Sequence, residues 1–231
     1  MSERANILAR IREGLAMPAP VPGAHDLHGH EHAPNPAPIL PGMVTKWLPS
    51  GAGTFGEQIA LFTKNSFELK TDFQLFDSQS ELRGALATLA QIEGWERIGT
   101  HGGALTDEIC PTLGLPILRT DNTYSAQELE TCNVGISECD FLIAQTGSVL
   151  VTTRSAGGRA LSVLPPHHVV LARREQLLPD LSAGFAALKK KYADNFPSFM
   201  SLITGPSRTG DIERILVLGA HGPKKLTIFC Y

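Results

Sequence analysis

The chain is poor in aromatic residues, at 6%, and its 231 residues include only four cysteines. Cys110, Cys132, Cys139 and Cys230 show neither CxxC spacing nor a ferredoxin-like run. That spacing argues against an iron–sulfur cluster held by this chain alone and leaves four ordinary reduced thiols, with Cys132 or Cys139 open to exposure. A strong excess of one charge is also missing. The formal net charge is −3, which excludes strong electrostatic attraction to nucleic acid or to an anionic membrane. No apolar run approaches the length of a membrane span. The first residues carry Glu3 and Glu13 among their arginines and no apolar stretch of the secretory kind, so a cytoplasmic location is expected. A phosphate-binding P-loop and a G-x-S-x-G nucleophile elbow are both absent. No redox cofactor is therefore expected in this chain.

What is present begins with an amphipathic helix over residues 1–16. Ser2 can cap it, and Ile7, Leu8, Ile11 and Leu15 form one apolar stripe opposite Arg4, Arg10 and Arg12. Residues 17–42 read as a flexible linker, because seven prolines from Pro18 to Pro41 favour extended backbone. Within it, His25, His28, His30 and His32 alternate with Asp26 and Glu31. Imidazoles at this density are weak candidates for a divalent metal, against the plainer reading of a solvated loop.

Residues 43–231 read as one α/β domain. Helices are expected at about 54–64, 80–93, 102–113 and 125–131. Strands are expected at about 67–76, 97–100 and 115–119. This order argues for a mainly parallel sheet covered on both faces. After Asn133 come four short β-rich runs, near 134–137, 140–145, 149–153 and 168–172. A helix follows at 179–191, a strand at 200–204 that returns to the parallel core at Leu202, a helix at about 209–216, and a strand at 225–229.

Ligands of open α/β sheets bind where loops leave the C-terminal ends of strands. Three loops qualify. In His101-Gly102-Gly103 two glycines before a helix allow an anion to approach the backbone, and His101 can exchange a proton near neutral pH. Thr146-Gly147-Ser148 offers two hydroxyls on a turn between strands. The third is Gly205-Pro206-Ser207-Arg208-Thr209-Gly210-Asp211-Ile212-Glu213, followed by His221-Gly222-Pro223. Ser207 and Thr209 suit a helix start, Asp211 and Glu213 would fall in its first turn, and Ser207, Arg208 and Thr209 would bind a small anion there. Asp211 and His221 are then candidate catalytic residues. An Arg208–Asp211 or Arg208–Glu213 pair that merely shapes the turn is the competing reading. His167 and His168 precede a strand and, by alternation, point to opposite faces.

This last stretch, with Ile143 to Ser148, Leu164-Pro165-Pro166-His167-His168 and the N-terminal Ser2 to Arg12, resembles the LutC/YkgG family of lactate-utilization proteins, the LUD domain. The resemblance is firmest from about Asn133 onward. It implies a Rossmann-like, mostly parallel sheet with helices on both faces, similar to the NagB/RpiA/CoA-transferase-like superfamily. It further implies work beside iron–sulfur partner proteins in oxidation of L-lactate to pyruvate, and a small anionic metabolite as ligand. The resemblance also suggests two alternatives: a stand-alone isomerase or acyl-transfer enzyme on a sugar-phosphate or CoA-related substrate, or a module that senses an organic acid. The family's pattern has a glutamate where this chain has Gln145. An amide cannot form the acyl anhydride of a CoA transferase, which disfavours that chemistry unless Glu138 or another acid replaces it.

Overall fold

The computed structural model describes residues 8–10, 12, 53–193, 195–210 and 216–231. The chain divides into two units, Met1–Val44 and Thr45–Tyr231. In the first, residues 8–10 and 12 are helical. The linker and its four histidines lie outside the described residues.

The second unit is built on a six-stranded, wholly parallel sheet. Its strands are β1 (Asp72–Leu75), β2 (Ile98–Thr100), β3 (Ile117–Arg119), β4 (Val134–Glu138), β7 (His167–Ala172) and β12 (Lys225–Cys230), in the order β1-β12-β7-β4-β2-β3. A four-stranded sheet adds β5 (Phe141–Ile143), β6 (Ser148–Thr152), β8 (Leu177–Leu178) and β9 (Met200–Ile203), in the order β8-β5-β6-β9. The helices are α1 (Phe55–Leu69), α2 (Gln79–Ile92), α3 (Thr106–Ile109, continued by a 3-10 turn Cys110–Leu113), α4 (Ala126–Glu130) and α5 (Leu181–Tyr192).

Local chemistry starts the helices. Thr54 and Glu57 form a capping box on α1, Ser125 and Glu128 form another on α4, and Ser78 and Asp180 cap α2 and α5. Helix α1 continues past the expected stop at Lys64 to Leu69, and the expected strand from Phe67 begins only at Asp72. Packing explains the difference. Phe62 and Ser66 are buried one helical turn apart, and the Asn65 amide donates to the carbonyls of Ala144 and Gln145. Phe67, which fits the alternation of a strand, is left outside at 75% exposure.

The two core faces follow from strand alternation. In β7, Val170 and Ala172 join Phe62, Leu142, Val149 and Val151 on one side, toward α1 and the second sheet. Val169 and Leu171 join Leu82, Leu86, Ile136 and Phe229 on the other, toward α2. Every residue of β7 is buried, as expected for a central parallel strand covered on both sides.

Two expectations are corrected. Strand β9 pairs antiparallel with β6 in the second sheet and does not rejoin the parallel core at Leu202; β7 and β12 supply that return. The helix expected from Thr209 is absent at its start. Arg208–Gly210 (β10) pairs antiparallel with Leu216–Leu218 (β11). The Ser207 N–H donates to Pro223 O and the Gly219 N–H to Ser207 O, so the flanking backbone pairs across a hairpin and not along a helix. Asp211 and Glu213 lie outside the described residues.

His167 and His168 do face opposite ways, yet both are buried because both sheet faces are covered. His167 Nε2 meets Thr227 Oγ1 at 2.9 Å, and His168 Nε2 meets Ser137 Oγ at 2.8 Å. Burial pushes their pKa values down, to about 4 for His167 and about 3 for His168. The folded protein thus keeps both neutral where the unfolded chain, titrating near 6.5, takes up protons. Their contribution is complete above about pH 6.5 and is lost as pH falls. Urea unfolding from pH 7 to 4.5 should show stability dropping by up to about 1.4 kcal/mol per pH unit for each histidine. A His168→Gln variant should show a shallower slope.

Candidate functional site

The parallel sheet has its switch point between β2 and β4. The chain leaves β2 toward β3 at one edge and leaves β4 toward the other side, so the outgoing loops separate there. A cleft of about 340 Å³ opens at this point, among His101, Gly102, Gly103, Glu138, Arg154, Ser155, Arg173, Gln176, Lys191 and Tyr192.

His101 follows the end of β2 and is buried, with both ring nitrogens engaged. Nδ1 lies 2.9 Å from Gly102 O, and Nε2 accepts the Glu138 N–H at 3.1 Å. It braces the ends of β2 and β4 against each other and leaves neither nitrogen for a ligand. The group that approaches Gly103 is the chain's own Glu138 carboxylate, while Gly102 faces Arg119 and Asp121. Glu138 Oε1 accepts from Leu105 N–H at 2.7 Å and Thr106 N–H at 3.3 Å, at the entry to α3. A Cβ on Gly103 would stand only 2.3 Å from Oε1, so glycine is required for this approach.

Beside Glu138 the chain turns through Cys139 into Asp140 and on to β5. The Asp140 side chain is fully excluded from solvent. Its Oδ1 accepts from Lys191 Nζ at 2.7 Å and Tyr192 Oη at 2.6 Å, and its Oδ2 accepts from Ser155 Oγ at 2.6 Å. Burial alone would raise the Asp140 pKa, but the donors from Lys191, Ser155 and Tyr192 outweigh it and hold the carboxyl below its usual value. Burial likewise opposes the charge on Lys191, and the Asp140 bond more than offsets it. Lys191 therefore stays cationic at the rim. The Arg154 guanidinium lies 5.3 Å from the Tyr192 ring centroid and donates to Asn195 Oδ1 at 2.7 Å. The cleft thus combines one held carboxylate, Glu138, with the cations Arg154, Arg173 and Lys191, a set suited to a small anion.

The other loops singled out by sequence lie elsewhere. Thr146, Gly147 and Ser148 form the β5–β6 turn. Gly147, at φ 63°, packs against Asn65 and Leu69 of α1, and Ser148 Oγ bonds Thr146 and Thr204 hydroxyls. Ser207 and His221 do meet, since Ser207 Oγ accepts the His221 N–H at 3.3 Å. His221 lines a hollow with Pro166, Gly219, Ala220, Gly222 and Lys224, near the N-terminal starts of β7 and β12 and so at the end of the strands opposite the cleft. Arg208 is exposed and does not line that hollow, and its Nη2 lies near Gly205. Thr209 follows it on β10. Sequence reasoning missed Asp140, Arg154, Ser155, Arg173, Lys191 and Tyr192. Asp140 carried a signal, being a charged residue between the apolar runs of β4 and β5.

The four thiols are buried, Cys132 and Cys139 included. Burial raises all their pKa values, to about 11 for Cys110 and about 12 for Cys230. They are poor nucleophiles.

Replacing Asp140 by alanine strips three donors of their common acceptor and should destabilise the protein by about 3 kcal/mol. Tyr192→Phe, which removes one donor, should cost about 1 kcal/mol. Chemical denaturation of the two variants checks the ratio; equal, small effects would mean that the cluster does not hold this part of the fold.

Residues 107–230 match the LUD domain. Among curated relatives, the Lactate utilization protein C of Bacillus licheniformis is 28% identical over 156 residues, covering 65% of this chain and 64% of the relative. That of Anoxybacillus flavithermus is 30% identical over 164 residues, covering 65% of this chain and 70% of the relative. That of Bacillus velezensis is 32% identical over 135 residues, 56% of each chain. The chain spans less than two-thirds of the first of these and about half of others. The crystal structure of a duf162 family protein from Deinococcus radiodurans superposes with a TM-score of 0.63 at 23% identity, covering 78% of this chain and 99% of that one, which establishes likeness of fold. With the domain match extending over more than half its length and the α/β architecture agreeing, this chain belongs to the LUD domain family.

Proposed function

We propose that this chain is a component of a lactate-utilization system and holds a small organic anion in the cleft between Glu138, Arg154, Arg173 and Lys191. The observation that carries the reading is the gathering of three cationic side chains at the switch point of the parallel sheet, in a chain whose relatives are named for lactate utilization. An arginine fork takes a carboxylate through two parallel bonds, and a lysine fixed by a buried aspartate offers a point charge beside it. Lactate and pyruvate are carboxylates small enough for this volume.

Oxidising lactate requires an electron acceptor. Among the described residues no group of three or more histidine, cysteine or acidic side chains could hold a metal ion, and the thiols are dispersed through the core. Partner proteins with iron–sulfur clusters would carry the electrons in this reading, with this chain binding the acid or organising the assembly. No helix among the described residues is long and apolar enough to cross a membrane.

Titration calorimetry of the purified chain should show saturable binding of L-lactate or pyruvate. Arg154→Ala should weaken it at least tenfold, with the melting temperature within a few degrees, because the arginine is exposed. In a native pull-down, L-lactate-dependent dye reduction should fall when this chain is removed and return when it is added back. No binding of either acid, together with dye reduction indifferent to the chain, would refute the proposal.

A further inference from the structure

We infer that Glu138 is a proton-transfer residue and that the chain enolises a short 2-oxo acid held in the cleft. The inference rests on the anion-binding reading above and extends it from binding to catalysis.

The acids around the cleft fall into two kinds. Asp140 is paired with Lys191, and Asp107 and Asp121 are both paired with Arg119. Glu138 makes no ion pair among the described residues, although it lines the same cleft as two arginines and a lysine. It is half-buried, and every bond it makes fixes its direction. Its N–H is held by His101 Nε2, and its Oε1 takes two N–H groups at the start of α3. The bare Cα of Gly103 leaves the space it occupies. Oε2 takes no hydrogen bond from the described residues. A carboxylate with one oxygen anchored and one open, in a cleft whose cations are placed for a substrate, has the arrangement required of a general base.

The chemistry balances without an oxidant. The substrate carboxylate lies on the arginines, and its carbonyl oxygen faces the cationic side of the cleft. Glu138 Oε2 takes a proton from the carbon beside the carbonyl. The C–H electron pair becomes the C=C bond of the enolate, and negative charge moves to the carbonyl oxygen, where the cations of the cleft stabilise it. The reverse step returns a proton from Glu138 to the same carbon. Exchange with water while Glu138 is protonated marks the substrate with solvent hydrogen.

Glu138 could instead serve only as an acceptor for the α3 backbone. Glu138→Gln separates these roles, because an amide oxygen still accepts the Leu105 and Thr106 N–H groups but cannot take a proton at neutral pH. The probe is pyruvate in D₂O, with loss of its methyl proton signal followed by NMR against buffer alone and binding measured in parallel by calorimetry. The wild-type chain should accelerate exchange. Glu138→Gln should reduce the rate at least a hundredfold, with pyruvate affinity unchanged or increased and the unfolding transition intact. Glu138→Asp should recover part of the rate. Exchange that persists in Glu138→Gln overturns the inference. So does a wild-type chain that binds pyruvate and exchanges nothing, which would leave the anion-binding reading standing. A chain that neither binds nor exchanges pyruvate overturns both.

Discussion

The buried carboxylate of Asp140 is the interaction on which the rest of the site depends. It stands where the chain leaves the parallel sheet for the second sheet, two residues beyond the end of β4. Its acceptors are filled by Ser155 beyond the end of β6 and by Lys191 and Tyr192 in the last turn of α5. Three separate parts of the chain are thus tied to one point. A carboxylate without solvent is costly unless charged and polar donors surround it, and here both oxygens are satisfied. The same bonds fix the lysine and tyrosine that form one wall of the cleft.

The opposite wall follows a different logic. His101 spans β2 and β4 through both ring nitrogens, and Gly103 lets the Glu138 carboxylate reach the start of α3. Gly102 joins this wall to the end of β3, since its N–H donates to Asp121, which pairs with Arg119. Acids and bases near the cleft are therefore sorted by geometry. Most neutralise one another, while Glu138 is anchored by backbone and Arg154 and Arg173 line the cleft. The sheet's switch point supplies the opening, and these contacts decide what lines it.

Much of the fold was legible in the chain because its signals are local. Capping residues at Thr54, Ser78, Ser125 and Asp180 mark helix starts, and short, largely apolar runs mark β4, β6, β7 and β12. The failures came where a local signal met a stronger distant one. Ser207 and Thr209 have helix-starting chemistry, but the backbone there bonds to Pro223 and to β11. Phe67 fits a strand, but the docking of Asn65 and Ser66 keeps its turn helical.

The sequence by itself determined the α/β class, most of the helix starts, the separation of the cysteines and the family resemblance. These depend on residues close together in the chain, or on composition. Only the tertiary structure decided that His167 and His168 are both buried, that β9 belongs to the second sheet, and that His101 is a brace. It alone brought Glu138, Asp140, Arg154, Arg173 and Lys191 to one opening. The physical reason is that strand order and crossover direction place the ends of β2 and β4 together, and hydrogen bonds between residues up to 52 positions apart then fix Asp140, Lys191 and Tyr192. No periodicity along the chain encodes those pairings.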